Sequence, residues 1–318
     1  MGTDINGYSL IGELSTSNAG MCQWGFAVKN HHEYFIKEFL SPKYPLDESK
    51  LGPELTKKMR VSADAFFKKR KAYYDRLSTC RTGNIIVNLD FFRWGAKYYA
   101  VTDKVSGELL DVDEISALPE DRKRTLIKSL LYSMSILHRA GIVHSDLKPE
   151  NILVKRAQDG YCTAKIIDFE AGFLTDSIPD NIEGSQNYFA PEAVLRMNGK
   201  NVPVTTKADV FALGLLIHQY WCGKMPEFPD EYRYASEAVL GDALLTLDEA
   251  IPSDVRVIVE KMTSKDPDSR PSAWSAWEQL GKPKDPPPIP APKPEPMPII
   301  KSVTVPQRLS MPSENELD

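Results

Sequence analysis

Cysteine is scarce. The chain of 318 residues has four, at Cys22, Cys80, Cys162 and Cys222, and no two form a CxxC pair. That spacing supplies neither a disulfide framework nor a zinc site, and a reducing cytoplasm is the expected setting. No run approaches the roughly 18 apolar residues of a membrane helix, so no membrane span is expected. The first residues, MGTDINGYSL, lack the charged-then-apolar order of a secretory leader. Gly2 follows Met1, but the sixth position holds Asn6 rather than Ser or Thr, so the myristoylation pattern fails. A basic surplus is missing too: net charge is −5 and the isoelectric point lies near 5.7. Phosphate backbones call for a basic face, so nucleic acid is not expected as a partner. The one basic run, Lys68-Lys69-Arg70-Lys71, reads as a solvated helix face. Internal repeats are absent.

What is present is enough apolar material, 42% of residues, for a sizeable core. Residues 8–13, 22–29 and 34–40 are short, rich in aromatic and aliphatic side chains, and separated by polar turns, as strands are. A helix is expected over 61–77, with Ala65, Phe66, Ala72 and Tyr73 as candidates for its buried side. Strand character returns at 84–92 and 97–101. Beyond that the chain turns helical. Leu126, Ile127, Leu130, Leu131, Met134 and Leu137 recur at helical spacing between Glu120 and Ala140, with acids at the start and Gly141 past the end. Further helices are expected over 207–221, 255–262 and 273–280. After Gly281 the composition changes abruptly, and Pro283 to Pro298 reads as a polyproline-type tail.

The strongest signal is His144-Ser145-Asp146-Leu147-Lys148-Pro149-Glu150-Asn151, followed by Asp168-Phe169-Glu170 and then Ala190-Pro191-Glu192. Each is weak alone and reads as ordinary solvated charge. In this order and spacing they resemble the catalytic loop, the metal-binding D-F-G and the A-P-E of eukaryotic-like (Hanks-type) serine/threonine protein kinases. The resemblance covers about residues 8–281. It implies an α+β, two-lobed protein kinase fold: a small antiparallel sheet with one helix (about 8–102), a hinge (103–106) and a larger helical lobe (about 107–281). Residues 282–318 form the Pro-rich tail.

The resemblance also implies a site for ATP and Mg²⁺. Phosphoryl transfer needs alignment and charge neutralisation more than covalent help. Asp146 is suited to take or orient the proton of the attacking hydroxyl. Asn151 and Asp168 offer the hard oxygen ligands that Mg²⁺ prefers, and Lys148 can reach the γ-phosphate. The strand residue Lys37 would bridge the α- and β-phosphates. Thr102 would stand as gatekeeper, Asp103 and Val105 would meet the adenine edge through their backbone, and Leu153 would floor the pocket. Ser185 resembles the substrate-facing hydroxyl of Ser/Thr kinases, Asp209 the anchor of the catalytic loop, and Arg270 the structural partner of Glu192. A protein substrate with a Ser or Thr acceptor is implied. The tail's own hydroxyls, at Ser302, Thr304, Ser310 and Ser313, are candidate sites of autophosphorylation.

Four departures stand against the pattern. Gly12 and Gly20 bracket a loop with too few glycines, so side chains crowd the phosphates. Phe35 replaces a small residue above the adenine, with Trp24 nearby. The helical acid that should pair with Lys37 is missing: Asp64 is the favoured substitute, Asp75 the other. Ser145 replaces Arg, leaving no cation for a phosphorylated activation loop, and Glu170 replaces Gly, which should stiffen that loop. These departures keep a nucleotide-binding pseudokinase open as the alternative. A small-molecule phosphotransferase on a related fold is a third reading.

Overall fold

The computed structural model describes residues 3–17, 22–46, 52–157 and 160–281. The N-terminal part is an antiparallel sheet of β1 (Asp4–Ile5), β2 (Tyr8–Ser15), β3 (Cys22–Lys29), β4 (His32–Phe39), β5 (Asn88–Trp94) and β6 (Lys97–Asp103), with helix α1 (Pro53–Ser78) between β4 and β5. Strand order is β1-β2-β3-β4-β6-β5. The two-residue β1 adds a hairpin edge to the five expected strands.

Alternation along β4 decides what faces the cleft, because successive side chains point to opposite sides of a sheet. Ile36 packs outward against Ala27, Tyr99 and Val101. Phe35, Lys37 and Phe39 therefore share the inner face. The register sets Trp24 opposite Lys37 and Phe26 opposite Phe35, and on the other side Lys37 opposite Ala100 and Phe35 opposite Thr102. On the outer face, buried Glu38 accepts a hydrogen bond from the Tyr99 hydroxyl at 2.8 Å and pairs with Lys97 at 2.6 Å.

Helix α1 begins at Pro53 rather than at residue 61. The start signals were local: Pro at the first helical position and Glu54 in the first turn. Its phase also differs from expectation. Ala63, Tyr73, Tyr74 and Leu77 are buried, whereas Ala65 and Ala72 are exposed. Arg70 lies on the buried stripe, three or four residues from Phe66, Phe67, Tyr73 and Tyr74, and so leaves the solvated run that contains it. Its guanidinium stands within 6.0 Å of the rings of Phe39, Phe66, Tyr73 and Tyr74.

The C-terminal part holds β7 (Leu109–Leu110), α2 (Val112–Ser116), α3 (Glu120–Arg139), β8 (Ile142–Val143), β9 (Ile152–Arg156), β10 (Cys162–Ile166), β11 (Phe173–Leu174), α4 (Pro191–Met197), α5 (Thr206–Cys222), α6 (Ala235–Leu240), α7 (Ser253–Met262) and α8 (Ala273–Gln279). The expected apolar stripe of α3 is buried. It packs in one core cluster with Tyr73, Leu77 and Tyr98 of the sheet half, so the two halves share hydrophobic contact. Helix α5 is buried along most of its length and ends at Gly223, whose φ of 75° is the left-handed conformation that glycine supplies at helix ends. Strands β9 and β10 pair antiparallel and hold the segment after Asn151 against the segment before Asp168. No helix of the described residues is long and apolar enough to cross a membrane.

Candidate active site

A cavity of about 800 Å³ lies between the sheet and the helical half, a volume usual for small-molecule sites. Lys37, Thr102, Asp103, Val105, Leu153, Asn151, Asp168, Lys148 and Ser185 all line it. These come from β4, β6, the segment after β6, β9 and three loops, so the topology gathers residues far apart in sequence. Gly12 is not among the lining residues. Its φ is 80°, and it sits at the irregularity between Ile11 and Ser15 where β2 loses register with β3. Gly20 lies outside the described residues. Ser17 and Trp24 line the cavity instead, tied by a 2.7 Å hydrogen bond from Trp24 Nε1 to the Ser17 carbonyl. Trp24 and Phe35 stack at 5.6 Å between centroids. They form a wall and leave the cavity open.

The catalytic-loop segment is held from beneath. Buried Asp209 on α5 accepts from the backbone N–H of His144 at 2.8 Å and of Ser145 at 3.0 Å, and from His138 Nε2 at 3.1 Å. Ser145 has a φ of 70°, a conformation a non-glycine residue keeps only when its surroundings impose it. Asp209 supplies that restraint. His144 donates from Nε2 to the Ile167 carbonyl at 2.9 Å and packs on Phe169, centroids 4.8 Å apart.

Asn151 Nδ2 donates to the Asp146 carbonyl at 2.7 Å and to its Oδ2 at 2.9 Å. Lys148 Nζ lies 3.0 Å from the same Oδ2 and donates to Ser185 Oγ at 3.1 Å. Asp146 Oδ1 has no partner and remains a spare acceptor. Asn151 spends its amide hydrogens on Asp146, which orients its own oxygen as a free acceptor. With the Asp168 carboxylate on the same cavity, that oxygen makes a hard donor pair suited to a divalent ion.

Lys37 has no helical acid. Asp64 is exposed, and Asp75 is engaged by Lys71 at 2.9 Å; neither pairs with Lys37. Its Nζ lies 2.7 Å from Asp168 Oδ1 and 2.8 Å from Glu170 Oε2. The residue expected to stiffen the loop is thus a partner of Lys37. Glu170 has no positive φ, so this loop does not need glycine there. Burial works against the charge on Lys37, but the two carboxylates outweigh it and hold its pKa above the ordinary value. Burial pushes Asp168 up as well, yet its hydrogen bond with Glu170 and the Lys37 charge bring it well below the usual carboxylate range. Glu170 is raised by burial and by the Asp168 charge. Arg70 completes the arrangement, donating from Nη1 to the Glu170 carbonyl at 2.8 Å. Both roles escaped the sequence reading. The available signal was that two departures complement each other: an acid missing from the helix and an extra acid two residues past Asp168.

Away from the cavity, Arg270 and Glu192 form a bidentate pair at 2.7 and 2.9 Å, and the guanidinium also donates to the carbonyls of Ser264, Lys207 and Lys265.

The model of the protein kinase domain matches residues 57–280. The catalytic subunit alpha KIN12 of an SNF1-related protein kinase from Arabidopsis thaliana is 33% identical over 54% of this chain and 34% of its own length. The serine/threonine-protein kinase pim-2 of Danio rerio is 32% identical over 59% of this chain and 58% of its own. The serine/threonine-protein kinase TIO of Arabidopsis thaliana is 27% identical over 59% of this chain and 14% of its own. The alignments thus span between a seventh and three fifths of those relatives. With a two-lobed fold, a family model over most of its length and serine/threonine kinases among its relatives, this chain belongs to the Hanks-type protein kinase family.

Proposed function

We propose that this chain is a serine/threonine protein kinase, transferring the γ-phosphate of ATP to protein hydroxyls through one domain at residues 8–281 hinged at 103–106. The observation that carries the reading is that Lys37, Lys148, Asn151 and Asp168 line one cavity of nucleotide size, with Asp146 held by Asn151 and Lys148 beside it and Lys37 paired with Asp168. Asp146, fixed by Asn151 and Lys148, accepts the hydroxyl proton as that oxygen bonds to the γ-phosphorus, whose bond to the β,γ-bridging oxygen breaks to release ADP. Lys37 and Lys148 counter negative charge on the phosphates. Asn151 and Asp168 would hold Mg²⁺, which neutralises phosphate charge and orients the transferring group. Thr102, Asp103, Val105 and Leu153 would bind the adenine. Ser185, held by Lys148, borders the place of the acceptor and favours serine or threonine.

The pseudokinase alternative drew on the missing acidic partner of Lys37, and Glu170 supplies one. The small-molecule reading is disfavoured by the Arg270–Glu192 pair, which braces the segment expected to face a peptide. A cytoplasmic setting belongs to the proposal, supported by four thiols all free of disulfides. So does autophosphorylation of the tail, which lies outside the described residues: tethering raises the effective concentration of Ser302, Thr304, Ser310 and Ser313. Incubation with γ-labelled ATP, Mg²⁺ and a generic protein substrate is expected to yield phosphoserine or phosphothreonine. Label on tyrosine alone would contradict the specificity, and no label would contradict the activity.

Activation-loop phosphorylation is not expected to be required. Where the family carries Arg, Ser145 donates to the Glu183 carbonyl at 2.8 Å, an uncharged link that joins the catalytic loop to the activation segment without phosphate. Phosphatase treatment should leave the rate within about twofold, the size of an effect worth under 1 kcal/mol. Loss of activity with the fold intact would overturn this.

A further inference from the structure

We infer that Glu170 is the positioning residue for Lys37, replacing an acid on α1, an inference that rests on the kinase reading. The acids of α1 do not reach Lys37, whereas Glu170 meets its ammonium at 2.8 Å from the loop that carries Asp168. Asp168 also meets it, at 2.7 Å, but that carboxylate is the one suited to a divalent ion. Glu170 would then keep hold of Lys37 when a divalent ion engages Asp168. The Glu170 side chain is 18% exposed and that of Lys37 11%, so water competes little for the pair.

Arg70 turns the helix to a different task. It sits on the face of α1 that looks at this loop and binds the Glu170 backbone carbonyl. Ring contacts with Phe39, Phe66, Tyr73 and Tyr74 fix the guanidinium. The helix thus positions the loop, and the loop positions Lys37. An acid at position 70 alone would add a third carboxylate near a lysine that already meets two. The two positions therefore make sense as an exchange: Arg70 with Glu170 here, an acid at 70 with glycine at 170 in the arrangement the family pattern implies.

Glu170→Gln, Glu170→Asp, Glu170→Gly and the double variant Glu170→Gly with Arg70→Glu separate positioning from mere folding. Glu170→Gln and Glu170→Gly should lower kcat about 10- to 100-fold, the scale of a small misplacement of reacting groups, with a smaller change in KM for ATP. Glu170→Asp should recover part of the loss, and the double variant should exceed Glu170→Gly by about tenfold. A second readout needs no turnover. In an Asp146→Asn background, ³¹P resonances of bound ATP should shift with Glu170→Gln as they do with Lys37→Met. Wild-type kcat in Glu170→Gly, or unshifted resonances, would overturn the inference. A wild type that transfers no phosphate but whose resonances respond to Glu170 would instead overturn the kinase reading and leave the pairing standing.

Discussion

Asp146→Asn is expected to lower turnover by about 10²- to 10⁴-fold, the range that a positioned general base contributes, while ATP affinity stays within about threefold of wild type. The geometry explains the split. Asp146 receives Asn151 and Lys148 on Oδ2 and its own carbonyl, which leaves Oδ1 as the one acceptor without a partner. An amide in its place keeps the size and can still accept on one atom, but it cannot take a proton from the attacking hydroxyl. The other groups proposed to hold the nucleotide, at Lys37, Asp168 and β6, are untouched. Steady-state kinetics beside equilibrium titration with a fluorescent ATP analogue measures both quantities. A parallel loss of affinity and turnover would mean that Asp146 acts through the architecture of the site rather than on the hydroxyl.

Arg270→Leu is expected to destabilise the fold by about 3–5 kcal/mol, the cost of leaving a buried ionic partner unpaired. At about 2–4 °C per kcal/mol for a domain of this order, thermal unfolding should begin roughly 6–20 °C lower. The Arg270 side chain is fully buried, and its partner Glu192 is 7% exposed. Removing the guanidinium strands that carboxylate and takes one donor from each of three backbone carbonyls at once. The double variant with Glu192→Leu should recover part of the loss, because an apolar pair leaves no buried charge. Calorimetry of the single and double variants decides it. A single variant as stable as wild type would show that the pair contributes little, and a double variant no better than the single would place the cost in the carbonyls instead.

The loop that carries Asp146 and Asn151 could be read from the chain because its chemistry depends on short, fixed spacings. Lys37 could be read because Tyr34-Phe35-Ile36-Lys37 resembles the family's strand motif, and alternation along β4 then turns it to the inner face with Phe35. The strands of the sheet half followed from short aromatic and aliphatic runs between polar turns, helix α3 from helical spacing, and α5 from its strongly apolar composition. Helix α1 was harder. Its apolar residues fit more than one phase, and the inward turn of Arg70 within a basic run is decided by the aromatic rings around it, which come from β4 as well as α1. The pairing of Lys37 with Glu170 joins residues 133 positions apart. No local pattern encodes such a contact; it exists because the fold brings the loop after β10 beneath β4. Gly12 misled for the opposite reason. Its left-handed backbone belongs to the irregularity in β2 rather than to the nucleotide cavity.

The most direct test is intact-mass analysis of the full chain after incubation with ATP and Mg²⁺, beside Asp146→Asn. Additions of whole phosphate masses are expected in the wild type and none in the variant, with fragment mapping placing part of the phosphate among Ser302, Thr304, Ser310 and Ser313. No addition in either, with a generic protein substrate also unmodified, would contradict the proposed phosphotransfer and leave the site as a nucleotide-binding one.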